Sequence, residues 1–135
     1  MYRSFLFLIF FIFTSCSSLS IQRATKTRHI PGIKSAKKYV HYAIKIRSSK
    51  DFILNTIQIE NNNKKLAYSY VDLQTKLSSS VMQPVFKKGA YIFNFRVYDI
   101  KDYKNKENIL VKYSIDNISY TKKHQITTNK PMVRR

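Results

Sequence analysis

Residues 91–98 read YIFNFRVY, a run in which apolar side chains recur at every second position. Tyr91, Phe93, Phe95 and Val97 would lie on one face of an extended strand, and the residues between them would lie on the other face. This period is typical of a strand with one buried face, whereas an amphipathic helix repeats about every 3.6 residues. We therefore expect residues 91–98 to form a central strand of a β-sheet.

The same alternation recurs on both sides of this run. Residues 39–47 alternate clearly, and in residues 52–60 the side chains of Ile53, Ile57 and Ile59 would share one face. A shorter alternating run covers residues 66–71, and residues 81–86 are at best an edge segment because they contain a proline.

A hairpin is predicted near the C-terminal end. Residues 109–115 and 118–120 alternate, and Asp116-Asn117 between them is a residue pair that favours a tight two-residue turn. In that register Tyr113 faces Tyr120 across the two strands.

Six or seven strands with no convincing helical stretch favour an all-β domain. We expect residues 39–126 to form an antiparallel β-sandwich of immunoglobulin-like type, with a small β-barrel as the alternative. The Cys and Trp pattern of true immunoglobulin domains is absent from the sequence, so the prediction concerns architecture and names no fold family.

The N-terminus has the layout of a secretory signal. Arg3 supplies a positive charge, residues 5–13 form an unbroken apolar run, and small polar residues follow. A helix of that length would span only about 14 Å, whereas a membrane-spanning helix needs about 20 residues. Residues 1–15 are therefore predicted to be a signal peptide.

The chain has one cysteine, Cys16, directly after this segment. The residues Phe13-Thr14-Ser15-Cys16 resemble the lipobox of bacterial lipoproteins, including the relaxed lipoboxes of the Bacteroidota. The resemblance is confined to the signal region, and it implies that Cys16 is acylated and anchors the mature chain to a membrane. Ordinary signal cleavage near Ser15, which would give a secreted protein, is the alternative.

Sorting is inferred from the residues after the cysteine. Ser17 follows Cys16 where an Asp would favour the inner membrane in enterobacteria, so resemblance to that system implies the outer membrane. No acidic residue occurs between Ser17 and Lys38, and this favours the face towards the periplasm.

Two further segments are predicted to lie outside the folded domain. Residues 16–38 are expected to be the lipidated cysteine followed by a basic flexible tether, because residues 22–38 contain six bases, no acids and a Pro-Gly pair. Residues 127–135 are expected to be a disordered basic tail.

The charge balance indicates an anionic partner. The chain has 25 Lys and Arg against 7 Asp and Glu, for a formal net charge of +18. Export argues against nucleic acid, which leaves anionic lipid headgroups, lipopolysaccharide and acidic glycans. The residues predicted to form the anion-binding surface are Lys87, Lys88, Arg96, Lys112, Lys122 and Lys123.

A second hypothesis is a structural or assembly subunit. In that case an exposed strand edge near residues 81–86 would pair with an envelope protein by β-augmentation.

The sequence shows no catalytic constellation. With only 2 glycines it has no Gly-rich phosphate loop. His29, His41 and His124 lack metal-ligand spacing, and we interpret His41 and His124 as exposed surface residues. Most of the acids fall in predicted turns or at strand ends, where turn geometry explains them. We therefore expect a non-enzymatic protein with no metal ion and no cofactor.

Overall fold

The computed structural model describes residues 18–32, 37–60, 67–81, 84–98 and 106–133. The predicted signal peptide and Cys16 lie outside these residues. Within them, no helix has the length and apolar character needed to cross a membrane. The described strands are β1 (Leu19–Ile30), β2 (Tyr39–Ser48), β3 (Ile53–Ile59), β4 (Ser69–Asp72), β5 (Leu77–Ser79), β6 (Gly89–Tyr98), β7 (Asn108–Ile115), β8 (Ile118–Gln125), β9 (Thr127–Thr128) and β10 (Met132–Val133).

The larger sheet has the strand order β10-β1-β2-β6-β4-β5, and β9 also pairs with β1. β2 lies between β1 and β6 and is antiparallel to both over nearly its whole length. One end of this sheet therefore carries Leu19, Ser48 and Gly89, and we call it the Leu19 end. The opposite end carries Tyr39 and Tyr98, and we call it the Tyr39 end.

The smaller sheet has the order β3-β7-β8, with antiparallel neighbours throughout. β7 and β8 form the predicted hairpin. Asp116 and Asn117 have φ angles of 52° and 63°, as the central residues of a tight two-residue turn require. Tyr113 pairs with Tyr120 in the expected register, and their rings stack at 5.4 Å.

The two sheets pack face to face, and the core lies between them. Tyr91, Phe93 and Phe95 of β6 are buried there, as the alternation predicts, and Ile109 and Val111 of β7 are fully buried in the same core. The described strands form two open sheets rather than a closed barrel, so the predicted β-sandwich is confirmed.

A short bridge between Phe52 and Phe86 closes the core near the Leu19 end. The backbone N–H of each residue donates to the carbonyl oxygen of the other, over 2.9 and 2.8 Å, and the two rings stack at 5.3 Å. Both side chains are buried. The backbone N–H and carbonyl groups of Phe86 are therefore already paired, whereas Val81 is 72% exposed.

The prediction of a flexible tether is wrong for residues 19–30. These residues form β1, which pairs with β2 and buries Leu19, Ala24 and Lys26. Two features hide this strand in the sequence. A register shift between Ile21 and Arg23 interrupts the alternation, and one of the inward positions is a lysine. The folded domain therefore includes β1 and does not begin at residue 39.

The prediction of a disordered tail is wrong for residues 127–133. Both β9 and β10 pair with β1 in parallel, and the N–H of Asn129 donates to the carbonyl oxygen of Lys26 over 2.9 Å. Each of these strands has only two residues, which is too short to produce a recognisable alternation. Residues 134 and 135 lie outside the described part of the chain.

Candidate functional site

The residues predicted to bind an anion lie in separate places on the sandwich. Lys87 and Lys88 precede β6 at the Leu19 end, and Arg96 points outward from β6. Lys112 and Lys123 lie on the outer face of the smaller sheet, because the residues on either side of Lys112 are buried and Lys123 pairs with an outward neighbour. The outer faces of two packed sheets point in opposite directions, so Arg96 and Lys112 do not share a surface.

Lys122 lies on the other side of β8. It pairs with Val111, whose side chain is buried in the core, so Lys122 faces inward at the edge of the smaller sheet and is half-buried.

Two of the predicted lysines contact carboxylates. Lys123 Nζ donates to Glu60 Oε1 over 2.9 Å, and Lys87 Nζ lies 3.6 Å from Asp51 Oδ2. Hydrogen bonds from Lys123 and Asn108 hold the pKa of Glu60 below its ordinary value of 4.5. The two carboxylates therefore offset the positive charges of Lys123 and Lys87.

The outer face of the larger sheet keeps its positive charge. Arg23 pairs with Lys45, and Arg47 and Arg96 point outward from β2 and β6 on the same side of the sheet. No outward position of β1, β2 or β6 in the described residues is Asp or Glu. We call these four cations the basic face. A surface whose charges all have the same sign attracts ligands of opposite charge from beyond contact distance.

Aromatic rings gather at the Tyr39 end of this face. The rings of His29 and Tyr39 stack at 4.7 Å, and the rings of Tyr39 and Tyr98 are 5.6 Å apart. Arg96 Cζ lies 4.8 Å from the centre of the Tyr39 ring, a cation–π distance. His41 completes the group, with its ring 6.1 Å from that of His29. We call these five residues the ring cluster.

An open groove of about 560 Å³ lies beside the ring cluster. The ring N–H of His41 donates to Asn94 Oδ1 over 3.0 Å, and this bond fixes two polar groups within it. Small side chains on the β4 side leave room next to Asn94 and Arg96. The groove is lined by His41, Ala67, Ser69, Asn94, Phe95, Arg96 and Tyr98.

Of the ring cluster, only Arg96 is among the residues predicted from the sequence. His29 falls in the segment assigned to the tether, and His41 is half-buried and hydrogen-bonded rather than simply exposed. The outward positions of β2 and β6 would have grouped Tyr39, His41 and Tyr98, because strand alternation places them on one face.

A further charged group lies inside the sandwich. Lys26 is fully buried, and its Nζ donates to Glu107 Oε1 over 2.5 Å. The hydroxyl of Tyr42 donates to the same oxygen over 3.1 Å. The core position of Lys26 indicates a structural role for this pair and not a ligand site.

No family model matches this chain, and no curated protein or solved structure matches it. The side chains and their arrangement are therefore the basis for inferring a function.

Proposed function

We propose that this protein is a non-enzymatic lipoprotein of the cell envelope that binds an anionic envelope component through the basic face. The arrangement of charges supports anion binding most directly, because the outward cations on β1, β2 and β6 have no carboxylate among them in the described residues. Anionic lipid headgroups, lipopolysaccharide phosphates and acidic glycans would all be attracted to such a surface. Attraction of this kind extends about 8 Å in physiological salt.

Attachment through Cys16 would place the domain close to a membrane. Because β1 begins at Leu19, the three residue steps from the cysteine span about 10 Å at most. We propose the outer membrane, on its periplasmic face, as the location, with secretion as the alternative.

The anchor is tested by the intact mass of the membrane-fractionated protein and of a Cys16→Ala variant. We expect a wild-type chain that begins at Cys16 and carries acyl mass, and an unacylated chain in the variant. A wild-type chain without acyl mass in the soluble fraction would contradict the anchor and support secretion.

The basic face is tested by binding to three probes: phosphatidylglycerol vesicles, purified lipopolysaccharide and polygalacturonate. We expect at least one probe to bind, and added salt to weaken that binding. The double variant Arg23→Gln/Arg47→Gln should bind at least about tenfold more weakly, because hydrogen bonds to charged groups contribute about 1.5–3 kcal/mol each.

The matched control is Lys112→Gln/Lys76→Gln, which removes the same charge from exposed positions outside the basic face. An equal loss of binding in both double variants would show that net charge, and not this face, determines binding. Failure of all three probes to bind would contradict the proposed function.

The assembly hypothesis is also supported by β8, the strand at one edge of the smaller sheet. β8 has no strand partner on its outer side in the described residues, and it exposes 56% of Ile118 and 42% of Tyr120. A protein partner that added a strand here would bind mainly through backbone hydrogen bonds. Its binding would therefore persist in high salt, whereas binding through the basic face would not.

A further inference from the structure

We propose that the groove beside the ring cluster binds a sugar that carries a carboxylate or phosphate group. This inference rests on the proposed function and specifies which class of anionic ligand the basic face takes.

Arg96 supplies the group that would recognise the anion. Its guanidinium is planar and permanently charged, and it can form paired hydrogen bonds with a carboxylate or a phosphate. The ring of Tyr39 holds it in place from one side, at 4.8 Å. No carboxylate in the described residues forms an ion pair with Arg96.

The neighbouring side chains suit the rest of a sugar. Tyr98 is 48% exposed, so part of its ring surface is open to stack against the C–H groups of a pyranose. Asn94 and Ser69 lie across from each other on β6 and β4, and both can donate and accept hydrogen bonds with sugar hydroxyls. Rings together with short polar groups distinguish this end from the rest of the basic face.

The size of the groove suits a small ligand. Ala67 and Ser69 are small, and they leave the groove open beside Asn94 and Arg96. Its volume of about 560 Å³ lies within the range of about 300–1,000 Å³ that is typical of small-molecule sites.

The position of the groove favours a glycan over a lipid headgroup. An anchor at Cys16 would lie next to the Leu19 end, because β1 starts there. The Tyr39 end is separated from it by the length of β2, which is roughly 30 Å for ten residues of strand. A glycan chain can extend that far from a membrane, whereas a headgroup in the anchoring leaflet reaches the groove only if the basic face lies flat on the membrane.

The test uses the full chain in a neutral detergent and two matched probes, trigalacturonic acid and its uncharged methyl ester. Isothermal titration calorimetry measures the dissociation constant for each. We expect the acid to bind and the ester to bind at least about tenfold more weakly, because only the acid can pair with Arg96.

Three single variants locate the site. Arg96→Gln should weaken binding of the acid at least about tenfold, and Tyr98→Ala should weaken it about three- to tenfold. Lys112→Gln is the control, because it removes one exposed charge from the outer face of the smaller sheet, outside the basic face. We expect it to change the dissociation constant less than about twofold, since salt screens charges at that distance. The near-ultraviolet circular dichroism of each variant should match that of the wild type.

The outcomes separate this inference from the proposed function. If Arg96→Gln and Lys112→Gln weaken binding equally, or if the ester binds as well as the acid, the groove is not an anionic sugar site, although the basic face can still bind anions. If phosphatidylglycerol vesicles bind and Arg96→Gln weakens that binding more than it weakens binding of the acid, the groove contacts the membrane and the inference is overturned. If no anion binds, the proposed function fails together with it.

Discussion

Lys26 places a positive charge between the two sheets, where its side chain has no exposed surface and its partner Glu107 is 15% exposed. An ion pair of this kind gains Coulomb energy and loses the hydration of both groups, so its net contribution to stability is small. Removal of one partner is costly because the other charge stays buried.

We therefore expect Glu107→Gln to lower the free energy of unfolding by about 3–5 kcal/mol, since it leaves the Lys26 charge without its carboxylate. The double variant Lys26→Met/Glu107→Gln should recover most of that loss. Urea unfolding measures both values. If the double variant is less stable than the single variant, the pair is not coupled in this way.

Glu60 gives a pH-dependent prediction. Its pKa is lowered in the folded protein, so its contacts stabilise the fold above pH 4.5, and this contribution is lost as the pH falls through the lowered pKa. Lys123→Met should raise the pKa of Glu60 towards 4.5, because the Lys123 hydrogen bond is the largest cause of the shift. Carboxyl ¹³C NMR titration measures it. Lys112→Met is the control on the same sheet face, and an equal change there would contradict the assignment.

β1 is the element whose observed structure differs most from the sequence prediction. A chain that begins at Tyr39 should fail to unfold cooperatively, because it lacks the residues that pair with β2 and the buried side chains of Leu19 and Ala24. A chain that begins at Ser18 should retain a cooperative transition. Circular dichroism during thermal unfolding compares the two. A stable fold in the shorter chain would restore the tether interpretation.

Alternating apolar side chains predict correctly which residues are buried where a strand has no register shift. β6 follows it along its length, and Phe93 and Phe95 are buried as expected. In β3 a register shift between Leu54 and Thr56 reverses the faces, so that Ile53 is 41% exposed and Leu54 is buried, contrary to the prediction for Ile53. A bulge adds one residue to one strand only, and its position depends on the partner strand.

The site was predictable only in part for a similar reason. Arg96 is outward in both the sequence pattern and the structure. Lys123 has the same charge, but Glu60, which binds it, is 63 residues away and lies just after β3. The stacking of His29 on Tyr39 likewise depends on the pairing of β1 with β2. Contacts between strands that are distant in sequence follow from the fold and not from local periodicity.

The whole chain carries a formal charge of +18, and this excess opposes its own compaction. We expect the midpoint of thermal unfolding to rise when NaCl increases from a low concentration to about 0.15 M, where the Debye length is about 8 Å. A gain of about 1 kcal/mol would raise the midpoint by about 4 °C for a domain of this size. Differential scanning calorimetry measures the change. A midpoint that falls with salt would mean that the ion pairs outweigh the repulsion.

The ion pair between Lys26 and Glu107 joins residues that are 81 positions apart, so it also sets an order of events during synthesis. A chain grows from its N-terminus, and Lys26 exists for most of that time without the carboxylate that allows it to be buried. A chain interrupted before residue 107 therefore keeps a hydrated charge on the surface where the second sheet must pack. Glu107 is followed directly by β7 and β8, so the carboxylate becomes available together with the strands of the smaller sheet that close the sandwich.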